Sequence, residues 1–194
     1  MNAVFPVGHH MGQRLPDEHH AVRVGWEHRA LTADEFGLWV LAHGTRANGR
    51  GEWTAGNVVE LATAAGVEGP AGVLAAAADK GVVVGVTDAL AFTEAHRLHP
   101  LKVGLGNTPE DPDRFRLGHP GVEPVSEVSA SAFELWQWAQ LAPSLRHLGE
   151  VRAKAAADLG AATSAELVAA DLLADVRELL VSGCAYLDLA RAGS

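Results

Sequence analysis

The side chains best suited to binding a metal lie close together near the start of the chain. They are four histidines and two carboxylates: His9, His10, Asp17, Glu18, His19 and His20. Imidazole and carboxylate groups bind zinc and nickel, so this cluster is a candidate metal site. However, the segment is irregular, with several glycines and prolines, and its spacing does not place the ligands on one face of a helix. We therefore expect no bound metal or other cofactor, and we keep a metal-binding sensor as an alternative function.

A second set of side chains is suited to binding anions. It consists of four cations near the middle of the chain: Arg97, Lys102, Arg114 and Arg116. These cations suit an acidic protein partner or a nucleic-acid backbone. The simpler interpretation is a solvated linker in which they pair with the acidic residues at 110–113. We keep the four cations as candidate partner-binding residues.

The sequence offers little support for catalysis. It contains no Gly-x-Ser-x-Gly, His-Glu-x-x-His or phosphate-loop motif. The single cysteine, Cys184, has apolar neighbours, which predict a buried thiol rather than an activated nucleophile. A lone cysteine also excludes an internal disulfide. We therefore predict that the protein is not an enzyme.

Five tryptophans are candidates for either the core or a protein interface. Trp39 and Trp136 occupy equivalent positions in an internal repeat, which predicts that both are core residues. Trp138 follows Trp136 by two residues and so lies on another side of the same helix. Trp26 and Trp53 have no counterpart in the second copy. Because tryptophan often dominates the binding energy of interfaces, we take Trp26, Trp53 and Trp138 as candidate partner-binding residues.

The elements that position these side chains come from the repeat. Residues 12–39 and 106–136 share a polar lead-in that starts at glycine and a Phe-x-Leu-Trp ending. Between them, Val-Arg-Val-Gly at 22–25 aligns with Phe-Arg-Leu-Gly at 115–118. The repeat predicts an irregular N-terminal segment, a first module, a joint and a second module, at 1–21, 22–93, 94–114 and 115–194.

Each module is predicted to contain a strand, three helices and a final β-element. The helices are predicted at 33–43, 55–65 and 71–80 in the first module, and at 130–142, 144–159 and 164–182 in the second. Thr32 with Glu35, and Thr163 with Glu166, have the spacing of a capping box at a helix start. A hairpin is predicted over 82–92 and a single strand over 184–189.

This order of elements resembles the winged-helix fold over 22–93 and 115–189. The resemblance implies a mostly helical α+β protein with two winged-helix-like modules, and DNA binding through the third helix and the wing. A pair of helical bundles is the alternative architecture. The third helix of the first module has Lys80 as its only cation, and the predicted wing has none. With a net charge of −9, the chain is poorly suited to this mode of DNA binding.

We therefore predict a non-enzymatic adaptor or regulator that binds another protein or a second copy of itself. The alternative is a DNA-binding transcriptional regulator that uses the cations of the joint, together with Arg146, Arg152 and Lys154, as phosphate contacts. No apolar run approaches the roughly 20 residues of a membrane span. Residues 1–12 also lack the features of a secretory signal, so we expect a cytoplasmic protein.

Overall fold

The chain forms two structural units, Met1–Thr87 (unit 1) and Asp88–Ser194 (unit 2). The computed structural model describes residues 3–161 and 163–191. Within these residues, 42% of the chain is helical and 26% is strand, arranged as several small antiparallel sheets. No helix among them combines the length and the apolar character that crossing a membrane requires.

Unit 1 combines a three-stranded sheet, three helices and a two-stranded sheet. Its elements are β1 (Val4–Pro6), β2 (His9–Arg14), β3 (His19–Val24), β4 (Glu27–Leu31), α1 (Ala33–Leu41), α2 (Ala55–Ala64), α3 (Pro70–Asp79) and β5 (Val83–Gly85). Strands β2, β3 and β4 form an antiparallel meander, and β1 pairs antiparallel with β5. Val22 and Leu31 are fully buried, and they belong to the face of the meander that packs on α1.

Unit 2 repeats this arrangement after one additional helix. Its elements are α4 (Ala89–Ala95), β6 (His96–Pro100), β7 (Val103–Gly106), β8 (Arg114–Gly118), β9 (Ser126–Ser129), α5 (Ala130–Trp138), α6 (Leu145–Asp158), α7 (Ala165–Val181) and β10 (Ala185–Leu189). Strands β7, β8 and β9 form the meander, and β6 pairs antiparallel with β10. The repeating module is therefore a first strand, a meander, three helices and a closing strand that returns to the first.

The glycines at which the sequence repeat begins have the same structural role in both units. Gly12 and Gly106 have positive φ angles of 95° and 74°. Each lies at an irregularity in the pairing of the first two strands of its meander. Side chains rarely adopt this backbone conformation, so glycine is favoured at both bulges.

The expected fold class, mostly helical with two winged-helix-like modules, is wrong. The wing predicted over 82–92 does not form, because β5 pairs with the N-terminal strand β1. Residues 89–92 instead begin helix α4. The Asp88 side chain accepts hydrogen bonds from the backbone N–H groups of Leu90 and Ala91, which caps the start of this helix.

The predicted irregular segment and the predicted joint both contain strands. Residues 1–21 contain β1, β2 and the start of β3, and residues 94–114 contain the end of α4, β6 and β7. All six predicted helices are present with small shifts at their ends. The predicted capping box at Thr163 is wrong, because Ser164 is the N-cap of α7 and accepts from the Leu167 N–H.

Candidate partner-binding site

The two faces of the unit 1 meander carry different sets of polar side chains. Directly paired residues of an antiparallel sheet share a face. Arg23 pairs with both His9 and His28, and Arg14 pairs with His19, so these five side chains belong to the face directed away from α1. The opposite face carries His10 and His20, which contact aromatic side chains of α1.

His20 is part of a ring stack on the inner face of the meander. Its imidazole lies parallel to the ring of Phe36, with 3.9 Å between the ring centroids. Phe36 stacks in turn on Trp39, whose indole N–H donates to the carbonyl oxygen of Val7 at 3.1 Å. His10 also contacts Phe36, and burial, followed by the charges of His20 and His9, lowers the pKa of His10.

Unit 2 contains the same ring stack with a phenylalanine in place of the histidine. Phe115 stacks on Phe133, and Phe133 stacks on Trp136. His20 pairs with Leu31 and Phe115 pairs with Val128, and these partners precede the equivalent caps of α1 and α5. The alignment of 22–25 with 115–118 is therefore displaced by two residues. Alternation along a strand has a period of two, so this shift leaves the apolar pattern unchanged.

The six candidate metal ligands of the N-terminal segment do not converge. His10 and His20 lie on the inner face of the meander, and His9 and His19 lie on the outer face. Asp17 and Glu18 lie in the turn between β2 and β3. Within residues 3–161 and 163–191, no group of three or more histidine, cysteine or acidic side chains has an arrangement suited to a metal ion.

Trp26 is the most exposed large apolar side chain in the described part of the chain, with a relative accessibility of 102%. It lies in the tight turn between β3 and β4, directly after Gly25, whose φ angle is 57°. The Arg23 guanidinium donates to the carbonyl oxygen of Gly25 at 2.8 Å. This bond holds the turn, so the indole projects from a defined position on the sheet.

The other two candidate tryptophans have different environments. Trp53 is buried, with 7% of its surface accessible, and its indole N–H donates to the carbonyl oxygen of Leu41 at 2.9 Å. That carbonyl, in the last turn of α1, also accepts from the Gly44 N–H at 3.1 Å, so Trp53 packs against the helix end and is not an exposed anchor. Trp138 is half exposed at the end of α5, close in sequence to the exposed Leu141.

The four candidate cations of the predicted joint do not form a single patch. Arg97 lies in β6 opposite the buried Asp188, and Lys102 lies 3.4 Å from the His119 imidazole. Arg114 donates to Glu178 and to the carbonyl oxygen of Glu127. Arg116 lies opposite Glu127 in the pairing of β8 with β9. Acidic residues of the folded unit, rather than those at 110–113, are therefore the neighbours of three of these cations.

The arginines assigned to phosphate contacts in the alternative function are also engaged within unit 2. Arg146 forms ion pairs with Glu94 and Glu150. Arg152 binds the fully buried carboxylate of Asp175 at 2.6 Å. Lys154 is exposed on α6. Both arginines are therefore paired with carboxylates, and Lys154 is the exposed cation of the three.

A polar network at the start of α5 is a feature that the sequence patterns did not reveal. Ser129 donates to Glu178 through both its backbone N–H and its hydroxyl group. Ser131 donates to Asp175, which also binds Arg152. The network ties α5 to α6 and α7. One signal was available: Ala132 stands where the first copy has Glu35, which leaves the N-cap without its local acceptor.

The prediction that Cys184 is a buried thiol is confirmed, since its side chain has no accessible surface.

Comparison of the chain with protein-family models, with curated proteins and with solved structures gives no match.

Proposed function

We propose that this protein is a non-enzymatic adaptor or regulator of the cytoplasm that binds another protein through the β3–β4 turn of unit 1, with Trp26 as the anchor. The observation that carries this proposal is the complete exposure of an indole at a turn held by the Arg23–Gly25 hydrogen bond. An exposed tryptophan rarely contributes to the stability of the protein that carries it. When a partner buries it, however, it often dominates the binding energy of the interface.

The free energy available from this anchor is substantial. Burying the roughly 150–250 Å² of an indole at about 25 cal/mol per Å² corresponds to about 4–6 kcal/mol before the costs of association. Because the turn is already ordered, little conformational entropy is lost on binding. A single tryptophan on a rigid turn is therefore able to act as the centre of an interface, with the surrounding polar residues forming its rim.

The charges of the protein favour a protein partner over DNA. The net charge of −9 repels a phosphate backbone. Helix α3 contains no cation, and Arg146 and Arg152 are bound to carboxylates. No specific observation favours the DNA-binding alternative.

The proposal is tested by site-specific photo-crosslinking of the full chain in cells of its source. A photoreactive amino acid replaces Trp26 in one variant and Val122, an exposed apolar residue of unit 2, in a matched control. We expect a discrete cross-linked product from position 26 that the control does not give, identified by mass spectrometry. A product containing a second copy of the chain would indicate a homodimer. Identical products from both positions, or none from position 26, would contradict the proposal.

With the partner purified, the strength of the anchor is measured directly. We expect Trp26→Ala to weaken binding by about 30-fold or more, since a hot-spot tryptophan contributes at least about 2 kcal/mol. Trp138→Ala serves as the comparison, because Trp138 is also exposed but lies in unit 2.

A further inference from the structure

A depression on the outer face of the unit 1 meander is lined by cationic and imidazole side chains. Its floor is the cross-strand pair of Ala21 and Ala30. Arg14, His19, His20, His28 and Arg29 complete the lining, and the cavity has a volume of about 200 Å³. We call this cavity and its seven residues the alanine depression.

The depression exists because two small residues face each other on a sheet surface. Exposed positions on strands usually carry β-branched or aromatic side chains, which would fill this space. A water molecule occupies about 30 Å³ in the liquid. The alanine depression is therefore large enough for a carboxylate group and the stem that carries it.

The side chains around the depression are donors to anions. Arg14 Nη2 lies 3.2 Å from His28 Nδ1, and because a guanidinium has no acceptor, Nδ1 must accept this hydrogen bond. The proton of a neutral His28 ring is then on Nε2, which makes that nitrogen a donor. Arg23 and His9 belong to the same face. Two carboxylates, Asp17 and Glu18, lie in the turn at the end of the β2–β3 hairpin, and a third, Glu27, forms an ion pair with Arg29 at 2.5 Å.

We propose that the alanine depression binds a carboxylate side chain from an acidic segment of the protein partner. This inference rests on the proposed function, since it assigns the chemistry of the partner that Trp26 anchors. His28, in β4, is two residues from Trp26 in the preceding turn. One partner can therefore contact both the indole and the alanine depression on the same small sheet. The guanidinium and imidazole donors around the depression match the two oxygens of a single side-chain carboxylate.

The test uses the full chain and a fluorescently labelled hexaglutamate peptide as the probe, with the histidine ring signals followed by NMR. We expect saturable binding that perturbs the His19 and His28 signals. Arg14→Gln is expected to weaken it by about tenfold, in line with one charged hydrogen bond. Ala30→Val, which fills the depression without changing the charge, is expected to weaken it to a similar extent. Arg50→Gln is the matched control, because it removes an equal charge from an exposed loop of the same unit.

Several results would overturn the inference. These are no saturable binding, an equal loss in Arg50→Gln, or displacement of the peptide by inorganic phosphate or a short single-stranded DNA at lower concentrations than free glutamate requires. The two proposals fail separately. Cross-linking at position 26 without hexaglutamate binding removes only the carboxylate site. Hexaglutamate binding without a cross-linked protein removes the proposed function.

Discussion

Glu178 accepts two hydrogen bonds from Ser129, at 2.9 Å from its backbone nitrogen and 2.7 Å from its hydroxyl oxygen. In unit 1 the equivalent N–H group, that of Thr32, is bound by Glu35 from the same helix at 2.8 Å. The carboxylate that accepts from this N–H therefore belongs to the first helix of the module in unit 1 and to the third helix in unit 2. Both units satisfy the same half-buried backbone donor, but unit 2 does so with a contact that is distant in sequence.

This exchange predicts that Glu35 and Glu178 have equivalent roles in stability. Glu35 also binds Lys80 at 2.6 Å. Burial opposes ionisation of Glu35, but hydrogen bonds from Lys80 and Thr32 and the charge of Lys80 bring its pKa below the ordinary value. We expect Glu178→Ala to reduce the free energy of unfolding by about 1–3 kcal/mol, since a half-buried N–H loses its acceptor. Urea denaturation measures this change, and a similar loss from the exposed Glu134→Ala would contradict it.

Asp175 is predicted to be the most sensitive member of the α5 network. Its carboxylate is fully buried and binds both Arg152 and Ser131. Asp175→Ala leaves Arg152, whose side chain is 21% accessible, without its carboxylate, and losing one partner of a buried ion pair costs up to about 3–5 kcal/mol. We expect Asp175→Ala to destabilise unit 2 by about this amount in chemical denaturation. Asp171→Ala, at an exposed position one turn earlier in α7, should have little effect.

The lowered pKa of the buried His96 leads us to expect a loss of stability in mild acid. Burial lowers the pKa of His96, while the hydrogen bond to the Phe92 carbonyl and the charge of Asp188 partly oppose the shift. Unfolded chains take up this proton near pH 6.5, whereas the folded unit does so only at lower pH. The contribution of neutral His96 to the free energy of unfolding is therefore complete above about pH 6.5. It is lost as the pH falls, by at most about 1.4 kcal/mol per pH unit.

Urea unfolding at a series of pH values between 7.5 and 5 measures this dependence. We expect His96→Gln to reduce the slope, and His147→Gln, at an exposed position in α6, to leave it unchanged. An equal slope in wild type and His96→Gln would show that other groups cause the acid sensitivity.

The structure aligns Phe115 with His20, whereas the sequence repeat aligns it with Val22, and two substitutions distinguish these alignments. His20→Phe recreates the Phe115 ring stack of unit 2, so we expect a change in stability below about 1.5 kcal/mol. Val22→Phe follows the sequence alignment, but Val22 is fully buried, so overpacking should cost about 1–3 kcal/mol. Thermal unfolding of the two variants distinguishes the alignments. Equal tolerance of both substitutions would contradict the structural register.

The two tryptophans that lack repeat counterparts should differ sharply in their effect on folding. Trp53→Ala removes a core side chain and its hydrogen bond to Leu41, and we expect a loss of about 3–5 kcal/mol. Trp26→Ala should change stability by less than about 0.5 kcal/mol, as exposed substitutions usually do. Chemical denaturation followed by circular dichroism provides the comparison. A large loss of stability in Trp26→Ala would contradict this prediction, since it would show that the indole packs against the folded chain.

Local signals in the sequence were sufficient for the six predicted helices, whereas α4 was predicted as part of a hairpin. Thr32 with Glu35 and the glycine stops near 66, 81 and 183 act over a few residues, so the positions of α1, α2, α3 and α7 follow from the chain itself. The repeat was also detectable, because the Phe-x-Leu-Trp ending of each copy packs in the same ring stack.

The strands and the candidate sites depended on tertiary structure. Strand β5 has the composition of either a hairpin arm or a partner for a distant strand, and pairing with β1 decided between them. The same long-range packing placed Trp53 in the core, left Trp26 in solvent and directed His20 rather than His19 toward α1. A helix satisfies its hydrogen bonds within a few residues, whereas a strand needs a partner that its own sequence does not specify.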